Sequence, residues 1–374
     1  MMQAEFPHEP GLIYLNHAGV APLPRRAAEA VRAFAAEAAT RGARNYPRWL
    51  AVEASLRQRL ARLLGTPSSD DIALVKNTSE GLSMVAYGLD WQPGDAVIIN
   101  NHEFPSNRIV WESLAQRFGV EVRDVDLDAA PTPEDALIDA LDARARLLAV
   151  SSVQFGSGLR MDLVRLAQAC RSNGTLLCVD AIQSLGALRL DVASLQADFV
   201  IADGHKWMLG PEGLGVFYSR PEARERLKLT QYGWHMVEQA GDFDRRAWEV
   251  ASSARRFECG SPNMLGIHAL EASLALLEEV GLAEVEARVL ANARLLIEMI
   301  AAQPRLELMS PPHPERHAGI VTFRVIDRDS RDVFRHLQEQ GVVCALRSGG
   351  IRFSPHFYNT QSQLEEALAQ ALRA

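Results

Sequence analysis

Cysteine is scarce in this chain: Cys170, Cys178, Cys259 and Cys344 are scattered through 374 residues without paired spacing. That pattern excludes a disulfide framework and a zinc motif, so no metal is expected, and it fits a reducing, cytoplasmic setting. A basic excess is missing as well. The 39 Lys and Arg against 47 Asp and Glu leave a formal net charge of −8, which offers no footprint for nucleic acid or for an anionic membrane surface. No apolar run approaches the ~20 residues of a membrane span. The opening MMQAEFPHEPGL lacks a basic-then-apolar pattern, so export is not expected. No GxGxxG opens a helix after a strand, which argues against a dinucleotide.

What is present is a globular composition, 48% apolar and 23% charged, in a chain long enough for one large domain and a smaller one. Helical and strand periods alternate. RRAAEAVRAFAAEAAT and AVEASLRQRLARLLG carry apolar residues at three- and four-residue steps and read as amphipathic helices. DIALVKN, DAVIIN, LLAVSS, TLLCVD and DFVIAD are short apolar runs between helices, the pattern of a mainly parallel sheet covered on both faces. After a helical stretch over 266–303, the segments HAGIVTFRVI, GVVCALR and IRFSPHF read as strands around the helix DSRDVFRHLQEQG. The change of pattern predicts a large domain over 16–281, and a small one built from 1–15 with 282–374.

The chemistry concentrates at strand exits. Asp180 closes TLLCV, Gln183 follows, and His205-Lys206 leaves the strand FVIAD ahead of the buried-looking Trp207-Met208-Leu209. In open α/β sheets ligands sit outside the carboxyl ends of the strands. A confined lysine beside an acid and a histidine there is the constellation needed to hold pyridoxal phosphate as a Schiff base. Desolvation lowers the lysine's proton affinity and frees its neutral amine. Asp180 can pair with the protonated pyridine nitrogen, Gln183 can reach the phenolic oxygen or cap a helix, and His205 can donate to a phosphate. Asn77-Thr78-Ser79-Glu80-Gly81 precedes an apolar-periodic helix, so it offers either an anion site with a helix dipole behind it or an ordinary N-cap. Phe104 follows the strand DAVIIN and can stack on a flat ring, a role for which the nearby His102 could be mistaken. Arg352 alternates with Ile351 and Phe353, pointing to the other face of a short strand, where its fork can clasp a carboxylate. Thr360 and Gln363 form a capping box for the last helix.

Seven ordered segments carry a resemblance to fold-type I pyridoxal phosphate enzymes of the class V aminotransferase family, in the branch of cysteine desulfurase-like, kynureninase-like and isopenicillin N epimerase-like proteins. They are YLNHAGVAPLP at 14–24, NTSEG at 77–81, HEFPSN at 102–107, VDAIQSLG at 179–186, DGHKW at 203–207, FECGSPN at 257–263 and IRFSPHFYNT at 351–360. The resemblance implies an α/β fold: a large domain with a mainly parallel seven-stranded sheet sandwiched by helices, plus a smaller α/β C-terminal domain. It implies Lys206 as the Schiff-base lysine, Asp180 on the pyridine nitrogen and Gln183 on the phenolic oxygen. Thr78, Ser79 and His205 then surround the phosphate, Phe104 stacks on the ring, and Gln154 in SSVQFGSG lines the cofactor pocket. Ser261 matches a threonine that reaches the neighbouring subunit's phosphate, which implies a homodimer with shared active sites. Arg352 matches the arginine for the substrate carboxylate, and Asn16 and His17 lie in the segment bordering the substrate pocket.

Two departures stand out. Asp203 replaces a phosphate-binding serine, and the Ser348-Gly349-Gly350-Ile351 loop is short and lacks the desulfurase thiol. On that ground persulfide-forming cysteine desulfurase activity is not expected. The expected activity is amino transfer on a carboxylate-bearing amino acid, with epimerisation or β-eliminating C–S lysis as alternatives using the same residues, and a non-catalytic cofactor-binding protein as a further one.

Overall fold

The structure is a computed structural model that describes residues 2–374. Its centre is a seven-stranded sheet in the spatial order Ile72–Val75, Gly215–Ser219, Phe199–Asp203, Leu176–Asp180, Ala145–Ser151, Ala96–Asn100, Glu121–Val125. Gly215–Ser219 runs antiparallel to both neighbours, and every other pairing is parallel. The period of two along each strand sorts side chains between two cores. Ile98, Leu148, Val150, Val179 and Val200 pack on one face, and Val97, Ile99, Leu147, Ala149 and Cys178 on the other. Helices on both faces explain why these strands read as continuous apolar runs rather than alternating ones.

Beyond Gly281 (φ 89°), which separates Met264–Val280 from Leu282–Ala301, the pattern changes. An antiparallel sheet in the order Ala345–Arg347, Gly350–Phe353, Val321–Val325, Leu306–Leu308 packs with Leu282–Ala301, Ser330–Glu339 and Gln361–Arg373 around a third core that includes Leu296, Phe323, Phe353 and Leu364. Leu15 belongs to that core, and Ile13–Tyr14 pairs in parallel with Val342–Val343. The segment GVVCALR therefore divides into two short strands serving two different sheets. The last strand stops at Phe353, with Pro355, which has no amide proton to give a ladder, soon after. Thr360 and Gln363 close the expected capping box. Among the described residues no helix is long and apolar enough to cross a membrane.

Candidate active site

Lys206 is placed by a tightly wound turn. The chain leaves Phe199–Asp203, and Gly204 and Gly210 close on each other (Gly210 N–H to Gly204 O, 2.8 Å) while Leu209 N–H donates to Lys206 O at 2.9 Å. Trp207, Met208 and Leu209 are fully buried and anchor the turn. Gly186 (φ 99°) lies so close that a Cβ there would stand 2.4 Å from Trp207 O, so the loop after Asp180 and the lysine turn fit only with glycine at this position. These constraints hold Lys206 with 9% of its surface exposed, at the floor of a cavity of about 280 Å³.

Eight of the twelve residues read from the sequence line that cavity: Thr78, Ser79, Phe104, Asp180, Gln183, His205, Lys206 and Arg352. Phe104 faces Lys206, with Nζ 5.7 Å from the ring centroid. Burial pushes Lys206 below the ordinary lysine range, against the pull of Asp180 and with Arg352 adding to the depression. Burial pushes the Asp180 carboxyl upward, opposed by the Ile182 amide that donates to it at 3.0 Å and reinforced by Glu103. Gln183 is held at both ends, its amide donating to Ala18 O and its oxygen accepting from Trp207 Nε1, each at 3.1 Å. Asp203, where the resemblance leads one to look for serine, puts Oδ1 3.0 Å from His205 Nδ1.

Arg352 is nearly solvent-free, and among the described residues its guanidinium meets only neutral oxygens: Phe155 O at 2.8 Å and Asn16 Oδ1 at 3.3 Å. Its Nε has no partner. Burial and the nearby Arg347 oppose its charge, yet a guanidinium stays protonated in a protein. A buried cation without a counter-ion is costly unless an anion arrives.

The remaining four residues lie outside the cavity lining. Asn16 accepts from Arg352 at 3.3 Å. His17 is buried with both ring nitrogens occupied, 2.8 Å from Ser354 O and 2.7 Å from Tyr358 Oη. Gln154 is buried against Glu103, with its Oε1 unpaired. Ser261 lines a separate cavity of about 350 Å³ together with Lys76, Glu80 and Cys259. Sequence reasoning passed over Glu103, although it stands inside HEFPSN, and over Arg347, which lines the lysine's cavity. A carboxylate set between a strand exit and a proline turn was the available signal for the first.

Pyridoxal phosphate fits this donor set. Thr78 Oγ1 is buried without a partner at the first turn of Thr78–Gly88, capped by Asn77, where helix amides favour an anion. Lys206, Asp180 and the Phe104 ring supply the amine, acid and flat apolar wall that a pyridine aldehyde requires.

The chain matches the family model Aminotransferase class-V over residues 13–367. A probable cysteine desulfurase of Pseudomonas aeruginosa is 31% identical, covering 95% of this chain and 92% of its own. The isopenicillin N epimerase of Streptomyces clavuligerus is 29% identical, covering 98% and 95%. Among solved structures, a cysteine desulfurase from Escherichia coli superposes with a TM-score of 0.88 at 27% identity, covering 100% and 98%. A cystine C–S lyase in complex with its reaction product, cysteine persulfide, gives 0.90 at 25%, covering 97% of both chains. The protein is a pyridoxal phosphate-dependent enzyme of fold type I. It belongs to the class-V aminotransferase family.

These relatives correct the sequence reading in two respects. The short, thiol-free loop at Ser348 argued against desulfurase activity, yet curated relatives and solved neighbours alike are named cysteine desulfurases. Loop composition is a poor guide because Ser348 and Gly349 form only an exposed two-residue turn between Ala345–Arg347 and Gly350–Phe353, apart from the residues that line the cavity. The same relatives favour the C–S lyase alternative over amino transfer.

Proposed function

We propose that the protein cleaves the Cβ–S bond of a cysteine-type amino acid. The observation that carries the substrate class is Arg352, a buried guanidinium without an acidic partner on the cavity that holds Lys206. An α-carboxylate accepted by that fork supplies the missing charge and points the substrate's amino end toward Lys206. The bond type is supported by the relatives named for it.

When bound, the cofactor supplies a carbonyl for the substrate amine and an electron sink for Cα. The chain's own residues do the rest. Asp180 would hold the proton on the ring nitrogen, and Phe104 would cover the ring and keep water from one face. Thr78, Ser79 and His205 would hold the phosphate. Lys206, its amine freed of a proton by burial, takes the proton from Cα as general base. The Cβ–S bond then breaks with its electron pair on sulfur. Gln154 and Gln183 hold polar edges of the site in place. Among the described residues no cysteine lines the cavity. The sulfur therefore leaves with its electron pair, as sulfide from cysteine or as a persulfide from cystine, and passes out of the cavity. Asn16 orients Arg352, and His17 braces the segment that carries Asn16.

The working unit we infer is a homodimer, in which Ser261, exposed and away from Lys206, reaches the phosphate held by the neighbouring protomer. Residues 16–281 form its large domain and 1–15 with 282–374 its small one, and the absence of paired cysteines supports a cytoplasmic setting.

Incubating the loaded enzyme with single amino acids tests the reading. Release of sulfide from cysteine, or of a persulfide from cystine, together with pyruvate and ammonia is expected. Bleaching that is restored only by a keto acid would replace it with amino transfer. Inversion at Cα without sulfur release would replace it with epimerisation.

A further inference from the structure

Glu103 lies outside the cavity and in none of the roles above, yet it is the most heavily solvated carboxylate of the buried interior. It accepts from Ser151 N–H at 2.7 Å, Ser151 Oγ–H, Asn100 Nδ2 at 2.7 Å, Asn107 Nδ2 at 2.9 Å and Gln154 Nε2 at 3.2 Å. Two of these amides cannot be turned round. Asn100 Oδ1 accepts from His102 N–H at 3.0 Å, and Asn107 Oδ1 accepts from Trp111 Nε1 at 2.9 Å, a group that only donates. Their NH₂ groups therefore face Glu103. The Ser151 backbone amide and the two fixed NH₂ groups have nothing to offer a carboxyl proton, so they favour the ionised form against burial, which pushes the Glu103 carboxyl upward.

The position gives this charge a consequence. Glu103 immediately precedes Phe104, and Ser151, which donates to it twice, is the register partner of Asp180 on the adjacent strand. The sequence of contacts Glu103, Ser151, Asp180 thus runs across neighbouring strand ends of the sheet toward Lys206.

We propose that Glu103 is a buried, ionised positioning residue that supplies a fixed negative charge to the Asp180–Lys206 centre and anchors the backbone that carries Phe104. Electrostatics agree in direction, since the charge of Glu103 raises Asp180. The other charged groups around the centre are Asp203, Arg347 and Arg352, with His205 beside them. Cys178 lies on the Asp180 strand, where burial and the neighbouring acids hold its thiol protonated. The remaining partners of Glu103, namely Asn100, Asn107, Ser151 and Gln154, are neutral, so no nearby cation cancels it by hydrogen bonding.

The inference rests on pyridoxal phosphate binding in this cavity, and the pH titration of the bound cofactor's visible band tests it apart from turnover. Removing a fixed negative charge makes the protonated form harder to keep. Glu103→Gln is expected to lower the midpoint by about one pH unit. Glu103→Asp, which keeps the charge, leaves the midpoint near that of the wild type even where packing loss lowers Tm. Equal midpoints in wild type and Glu103→Gln, or equal shifts in both variants, would overturn the inference. Should Glu103→Gln not fold, the infrared spectrum decides. A buried protonated-carbonyl band in the wild type at neutral pH that shifts in Glu103→Asp overturns the proposal, and the absence of any band moved by that substitution supports it. A wild-type protein that takes up no cofactor overturns the site reading itself.

Discussion

Lys206 and Arg352 face the same cavity, both nearly buried and both cationic, yet they reach it by different routes. Lys206 comes from the exit of a central strand in the seven-stranded sheet, next to the strand that ends in Asp180. Arg352 comes from an antiparallel sheet with its own core, and it reaches the cavity because residues 15–21 strap the two regions together. Ser354 N–H donates to Leu15 O at 2.8 Å, His17 N–H to Ser354 O at 3.3 Å and Ala21 N–H to His205 O at 2.7 Å. The chemistry of the two cations differs in the same sense. An ammonium can shed its proton when buried and become a base, whereas a guanidinium cannot and must find an anion. One region thus supplies reactivity and the other recognition, joined by a short segment of polar backbone.

The largest effect expected from breaking this division is at Lys206. Lys206→Ala should remove the covalent hold on the cofactor and lower kcat by about 10³-fold or more, with loss of the visible band. A variant that keeps both band and turnover would move the base elsewhere. Arg352→Ala should leave the band intact and lower kcat/KM for carboxylate substrates by about 10²-fold, with little change for a matched amine lacking the carboxylate. Equal losses for both would deny Arg352 the recognition half of the comparison.

The strap itself can be loosened. His17→Leu leaves Ser354 O and Tyr358 Oη without their imidazole partner, and should cost about 3 kcal/mol of stability while raising KM more than it lowers kcat. A fall in kcat alone would instead place His17 in the chemistry. The smallest effect is in acid. His356, fully buried, donates from Nε2 to Trp207 O at 3.0 Å and accepts at Nδ1 from Phe357 N–H at 2.8 Å, and burial pushes it down from 6.5 to about 4. The unfolded chain then binds a proton that the folded chain refuses, so stability falls as pH drops through the window from 6.5 to 4. Between pH 7 and 5 this histidine alone should cost about 2 kcal/mol, visible as a falling Tm. A Tm unchanged over that range would mean that the His356 pocket admits the charge.

Much of the cofactor side was legible because parallel sheets bring strand exits together by rule. Asp180, His205 and Lys206 are each one or a few residues past an apolar run, so strand recognition places them at one edge. Asn77-Thr78-Ser79 was legible for the same local reason, since a cap and the anion site of a helix share one geometry. The strap was not. Nothing in YLNHAGVAPLP says that His17 turns inward to Ser354 and Tyr358 while Asn16 turns to Arg352, because those partners lie more than 330 residues away. Glu103 was hidden differently, as its five donors come from three segments and any one of them alone reads as a loop residue.

The amino-acid sequence by itself determined the alternation of strands and helices and the residues at the strand exits, because these follow from short-range periodicity and from where strands end, and its seven ordered motifs carried the resemblance to the family. Only the tertiary structure decided which polar groups are left without partners, that Arg352 is a buried cation awaiting an anion, and that Glu103 is held as an anion beside Asp180. Burial and hydrogen-bond satisfaction depend on segments distant in the chain, and those two quantities fix the charge state of every group the reaction uses.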